Sequence, residues 1–178
     1  MFHFVRYAIS SLIRNFPIAQ KALVQQGGMT SFAEIFQTDS SDLVKLQLKI
    51  VTLLSDIILE KDMASENLQE ILKDDASMSN NATERDMFIE KLRQYEAANV
   101  EKSLVEQGFC RLVPRLLTKL RKEDKQTRRE DLSSVQGRPF REEHDVVEKV
   151  VQAMLILTRS CRNEFQSVRG LIRSLGER

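Results

Sequence analysis

The chain has 178 residues, 42% of them hydrophobic and 30% charged, with a formal net charge of +1. That length supports one sizeable core, and the polarity excludes a chain made of membrane spans. Near-neutral charge gives no global attraction to nucleic acid or anionic lipid. With nine Phe, two Tyr and no Trp, the basic run from Arg111 to Arg129 also lacks the interleaved aromatics on which single-strand binders stack bases.

Residues 2–16 form an amphipathic helix whose polar line runs Tyr7, Ser11, Arg14, with Val5, Ala8, Ile9, Leu12 and Ile13 facing inward. Pro17 closes it. Arg6 and polar residues stand where a signal peptide needs an unbroken apolar run, so this start reads as helix interior and the expectation is a piece of a longer protein. A short helix, IAQKALVQQ, stops at Gly27-Gly28. No strand precedes these glycines and no Lys-Ser/Thr follows, which favours a helix stop over a phosphate cradle. MTSFAEIFQ makes a third short helix, and Asp39 to Asp42 supply cap residues.

Ser41 to Lys61 is the centre of the chain. At 100° per residue, Lys45, Lys49, Thr52, Asp56 and Glu60 fall within a sector of roughly 80°. Leu46, Leu48, Ile50, Val51, Leu53, Leu54, Ile57 and Ile58 cover most of the remaining circumference. A helix so patterned is buried on several sides and shows solvent one polar seam, as a central helix in a stack requires. In helical solenoids that seam lines the groove where a partner lies.

The same motif then returns. LVQQGGMTSFAEIF from Leu23 matches LVEQGFCRLVPRLL from Leu104 in chemistry at nearly every apolar position, and each copy is followed by a long apolar helix. The second of these begins at Glu142 with a polar line of Asp145, Lys149, Gln152 and Asn163. The offset of 81 residues is about two periods of the roughly 40–47 residues of armadillo and HEAT units, which predicts a degenerate middle repeat between the copies. In that interval SENLQEIL is a short helix, residues 74–83 are a loop by composition, and residues 83–107 form one long helix. From Arg121 to Arg141 a charged stretch with Gly and Pro lacks periodicity, so a disordered insertion is expected. The fold class that follows is all-α, an armadillo-like helical-repeat solenoid of three to four units. Repeats occupy residues 1–120, the insertion 121–141, and a final long helix with a helical tail 142–178.

Few residues point to chemistry. Asn81-Ala82-Thr83 is a glycosylation sequon in the most loop-like stretch. Glu142, His144 and Glu148 stand at helical spacing, but zinc wants three or more protein ligands and the other histidine, His3, is at the far end of the chain. Two histidines so placed also leave no nucleophile–base set, so neither a metal nor catalysis is expected. Cys110 begins the second short helix of the later copy and Cys161 lies on the apolar line of Val147, Val150, Met154 and Leu157; as free thiols both pack as small hydrophobes.

YAISSLIRNFPIAQKALVQQGG, KIVTLLSDIILEK, LVEQGFCRLVPRLL and LTRSCRNEF, in this order and at these spacings, resemble the armadillo-type nucleotide exchange factors of BiP, the chaperone of the endoplasmic reticulum lumen. The resemblance runs from Val5 to about Phe165; SSLIRNFP and the EQG-aromatic-Cys run are its most specific parts. The cytosolic branch of the family is the nearest alternative, but VTLLSDIILEK and both cysteines look more like the lumenal one. The family's signal peptide, acidic N-terminal region, first repeat and last helical stretch have no counterpart here.

The resemblance implies a monomeric binding protein without cofactor or enzyme activity, placed in the endoplasmic reticulum lumen. It would clasp the ATPase domain of a heat-shock seventy-class chaperone and promote ADP release. By seam position, Tyr7, Ser11, Arg14, Lys45, Lys49, Thr52, Asp56, Lys149 and Gln152 are its groove residues. In an oxidising lumen a bridge between Cys110 and Cys161 becomes possible, because the second and third helices of one armadillo unit pack together. The competing function is a general armadillo scaffold holding an extended peptide. Such carriers use ladders of Asn and Trp, where this chain has Ser11, Asp56 and Ile156.

Overall fold

The computed structural model describes the backbone of residues 10–38, 40–74, 82–131, 141–165 and 170. All regular structure among the described residues is helical. A helical stretch at residues 10–13 is followed by α1 (Pro17–Gln25), α2 (Gly28–Gln37), a 3₁₀ turn (Ser41–Leu43), α3 (Val44–Asp74), α4 (Ala82–Ala98), α5 (Val100–Glu106), α6 (Phe109–Asp131), α7 (Arg141–Leu157) and the short α8 (Arg162–Phe165).

Two chain reversals have the same backbone, and they account for the sequence repeat. After α1, Gln26 turns with φ −87°, ψ 11° and Gly27 takes the left-handed conformation at φ 76°. After α5, Gln107 does so at φ −80°, ψ 1° and Gly108 at φ 78°. In both, the glutamine N–H bonds four residues back at 2.9 Å, to Ala22 O and Ser103 O, and the glycine N–H bonds three residues back, to Val24 O and Val105 O. Glycine is favoured at both positions because a Cβ is strained at positive φ. Gly28 has a second constraint, since a Cβ there would lie 2.3 Å from Leu23 Cδ1 and 2.9 Å from the Leu23 carbonyl oxygen.

The two copies are neighbours in space. α1 packs on α5, α2 on α6 and α3 on α7, each helix against its own counterpart. The rings of Phe36 and Phe109 meet edge to face at 5.6 Å across the α2–α6 contact. The degenerate middle repeat expected from the 81-residue offset does not lie between them. The extra length is taken up by an extension of α3 and by α4, which folds back against α1 and α3.

Other expectations also change. α3 does not end near Lys61 but runs unbroken for 31 residues through SENLQEIL, because no Gly or Pro interrupts it and Ala64 is buried in the extension. The single helix expected over residues 83–107 breaks at Asn99, which adopts the left-handed conformation at φ 59°. Asparagine tolerates that conformation better than most side chains. Residues 121–131 continue α6 as helix where disorder was expected, while 132–140 lie outside the described residues. Pro17 opens α1 at its first position, where its missing N–H costs nothing; the preceding reversal is made by Asn15 at φ 58°.

The core is continuous through both copies. From α3 it takes Ile50, Val51, Leu53, Leu54, Ile57 and Ile58; from α6, Phe109, Val113, Leu116 and Leu117; from α7, Val150, Met154 and Leu157. A disulfide joins Cys110, at the start of α6, to Cys161, just beyond α7, with Cα atoms 5.2 Å apart.

These turns generate a graded expectation. Gly27→Ala meets no atom within 4 Å and should lose only the left-handed penalty, about 1–2 kcal/mol. Gly28→Ala has an ordinary backbone but must displace Leu23, so it should cost more than Gly27→Ala. Urea denaturation of both variants measures the difference, and the reverse order would show that the Leu23 contact is not tight.

Candidate partner-binding groove

Three helical segments lie side by side in the order 10–13, α3, α7, and their polar contacts fix a parallel arrangement. On one flank Arg14 pairs with Asp56, and the Asn15 N–H donates to Glu60 Oε2 at 2.8 Å. On the other, Arg159 Nη1 donates to Asp62 Oδ1 at 2.7 Å. Between the three lies a cleft of about 500 Å³ lined by Ser10, Arg14, Phe32, Lys45, Leu46, Leu48, Lys49, Ile50, Val51, Thr52, Leu53, Val146, Lys149 and Val150. Its floor is apolar, and Arg14, Lys45, Lys49 and Lys149 provide four cationic groups around it.

Five of the nine groove residues expected from helical phase line this cleft: Arg14, Lys45, Lys49, Thr52 and Lys149. Thr52 is half-buried, its Oγ1 donating to Leu48 O at 3.0 Å, so it contributes its methyl more than its hydroxyl. Asp56 is not a lining residue. It stands one turn further along α3, half-buried and held by Arg14, rather than projecting freely to solvent. Ser11 is exposed beside the cleft, where its neighbour Ser10 supplies the lining. Gln152 is exposed on α7 with Nε2 donating to Glu148 Oε1 at 3.3 Å, and it too lies outside the lining. Tyr7 and the sequon residue Asn81 lie outside the described residues. Helical phase did not find Phe32 or Val146, because both are apolar and phase assigns apolar residues to the core rather than to a groove. The described residues contain no group of three His, Cys, Asp or Glu able to hold a metal, and the side chains of Glu142 and His144 are not among them.

Electrostatics at the 10–15 flank are set by burial. The Asp56 carboxyl is raised above its ordinary 3.8 by loss of water, against the opposing pull of Arg14. Glu60 is raised above its ordinary 4.5, again mainly by burial; the Asn15 N–H and the Gln20 amide pull it down, and the Asp56 charge pushes it further up. One guanidinium therefore faces two carboxylates on successive turns of α3, and their mutual repulsion is only partly relieved.

A stack of paired three-helix repeats with a lined cleft across its third helices is a helical-repeat architecture. The SIL1/FES1/HPBP1 C-terminal domain matches residues 3–138, so the chain belongs to the SIL1/FES1/HPBP1 family. It is 30% identical over 172 residues to the nucleotide exchange factor SIL1 of Mus musculus, covering 97% of this chain and 29% of that protein. The Xenopus laevis nucleotide exchange factor SIL1 is 29% identical over 159 residues, covering 89% of this chain and 26% of the relative. The Drosophila melanogaster Sil1 is 29% identical over 113 residues. This chain thus spans under a third of the length of the relatives it matches. No solved structure gives a significant match.

A pH dependence follows with a definite sign. Because folding raises both carboxyls, the native state takes up their protons more readily than the unfolded chain does. Their ionisation weighs against folding at neutral pH, and that cost is relieved as pH falls through the raised native values, fully so below 3.8 for Asp56 and 4.5 for Glu60. The stability of the wild type relative to Glu60→Gln should rise between pH 7 and pH 4 in urea melts. A difference that is flat or falls over this range would show that Glu60 is not desolvated.

Proposed function

We propose that this chain is the part of an adenyl-nucleotide exchange factor that grips the ATPase domain of a heat-shock seventy-class chaperone, and that it is not an enzyme. The observation that carries this reading is the cleft itself: five residues of a polar seam converge over an apolar floor, on the third helices of stacked repeats, in a member of a family whose relatives are named nucleotide exchange factors.

The mechanism needs only differential binding. If the cleft holds the ATPase domain better with its nucleotide site open than closed around ADP, linkage requires ADP to bind less tightly while the factor is bound. Weakening ADP a hundredfold takes a preference of about 2.7 kcal/mol. Charge-assisted contacts from Lys45, Lys49 and Lys149 to partner carboxylates, each roughly 1.5–3 kcal/mol when desolvated, are of the right size. Asp56 acts differently in this scheme, fixing Arg14 at the edge of the cleft instead of reaching the partner.

The Cys110–Cys161 disulfide supports the lumenal branch of the family, hence BiP as the chaperone and the endoplasmic reticulum as the compartment, because such bridges persist in oxidising surroundings and are rare in the cytosol. Glycosylation at Asn81 belongs to the same proposal. A general peptide scaffold remains as the competing outcome of the test.

Lys45→Ala with Lys49→Ala should weaken binding to the BiP ATPase domain about tenfold or more and slow release of a fluorescent ADP analogue, with melting temperature nearly unchanged, since exposed side chains typically contribute within ~0.5 kcal/mol. Leu54→Ala, deleting fully buried methyl groups, should cost roughly 2–5 kcal/mol of stability. Binding and release are scored separately, because a chain of this length can bind without accelerating exchange. A folded, fully active double variant would move the chaperone off this cleft. Binding of basic peptides with no binding of the ATPase domain would favour the scaffold.

A further inference from the structure

The lining of the cleft on α3 ends at Leu53, but the helix runs on to Asp74. At 100° per residue, Leu59 and Met63 fall about 20° to either side of the line through Thr52, so they continue the same seam. Both are apolar and both stand open to solvent, Leu59 41% and Met63 52% exposed. Leu72, the other exposed large apolar side chain of α3, falls about 160° from that line, off the groove face.

Single exposed apolar side chains are common on protein surfaces and need no explanation. These two are not single. They stand four residues apart on one helix face, where side chains are neighbours, and two ion pairs bracket them. On one side Arg14 pairs with Asp56, and on the other Arg159 pairs with Asp62 at 2.7 Å. Each pair ties α3 to one flanking segment, so the apolar pair lies between the groove walls and the bracketing charges answer one another. An apolar centre inside a polar ring is the arrangement of binding hot spots, where the ring keeps water from the contact. Methionine suits such a place, because its unbranched, polarizable side chain adapts to the shape it meets.

The distance from the cleft sets a spacing. Leu59 and Met63 follow Lys49 by ten and fourteen residues, about 15 and 21 Å on a helix that rises 1.5 Å per residue. The cationic rim suits carboxylates, and this second point suits an uncharged group.

We propose that Leu59 and Met63 are a second contact point of the groove, receiving an apolar side chain of the bound ATPase domain that lies about 15–21 Å from the carboxylates meeting Lys45 and Lys49. This rests on the exchange-factor reading. It adds an uncharged anchor to it, and a spacing that the partner surface must match.

The test labels the methionine methyl groups of the full chain with carbon-13 and adds unlabelled BiP ATPase domain. The Met63 methyl should shift or broaden as the complex forms. Met87, 68% exposed on α4 and away from the groove, is the internal control and should stay in place. Leu59→Glu and Met63→Glu should each weaken binding about tenfold with melting temperature nearly unchanged, and Met87→Glu should bind as the wild type does. Salt separates this contact from the lysines. At about 1 M salt, where the screening length is about 3 Å, the loss caused by Lys45→Ala with Lys49→Ala should shrink, while the loss caused by Met63→Ala should persist. A complex that forms with the Met63 methyl unmoved, or full affinity in Met63→Glu, would overturn this inference and leave the exchange-factor reading standing. No complex at all would overturn that reading, and this inference with it.

Discussion

The fold depends on α3 being buried on both flanks at once. Val51, Leu54, Ile57 and Ile58 are at most 2% exposed, which no helix at the edge of a stack achieves. Burying one such side chain contributes roughly 1.5–3 kcal/mol, and the gain is realised only if apolar neighbours exist on each side. α7 and α4 supply most of these neighbours, α2 supplies others, and Ile13 joins the same core. The groove is a consequence of this arrangement. The seam that cannot be buried, Lys45 to Asp56, is left between two parallel neighbours, and their own polar residues meet it there.

The two flanks are held by different means. On the α7 side, apolar packing is reinforced by the Cys110–Cys161 disulfide, which closes a 51-residue separation and fixes α6 to the end of α7. A crosslink of that span acts chiefly on the unfolded chain, by removing its freedom. On the 10–15 side the described contacts are largely polar. Arg14, Asn15, Gln20, Asp56 and Glu60 form one network beside the buried Ile13 and Pro17, while Leu12 and Phe16 are 66% and 51% exposed. A half-exposed ion pair such as Arg14–Asp56 contributes about 0–1 kcal/mol.

How much of this was legible in the sequence differs by level. The polar seam of α3 was readable because period 3.6 reports directly on burial, and Lys45, Lys49 and Thr52 fall where their phase puts them. The glycine turns were readable because positive φ selects glycine, and Gln-Gly occurs twice in matching surroundings. What failed was arithmetic about the interval. An offset of 81 residues is compatible with a hidden repeat or with an insertion, and only packing distinguishes them. Asn99 shows why. Nothing in QYEAANVEKS weakens helical periodicity enough to announce a break, yet a single left-handed residue there turns the chain so that Val100 and Leu104 enter the core beside α1. Phe32 and Val146 escaped because they are apolar, and helical phase assigns an apolar residue to the core, whereas the polar Arg14 and Lys149 were found on their own helices.

The α4 fold-back changes the mechanics of the stack. In a plain solenoid each unit touches only its sequence neighbours, and bending at one interface costs little elsewhere. Here α4 packs on both α1 and α3, and Lys61 on α3 pairs with Glu101 on α5, so the first unit, the fold-back and the start of the second unit share contacts. The first and second units therefore cannot splay without also disturbing α4. A groove whose walls belong to different repeats needs such a constraint if it is to prefer one conformation of a partner over another, because walls that yield would bind both equally and shift nothing.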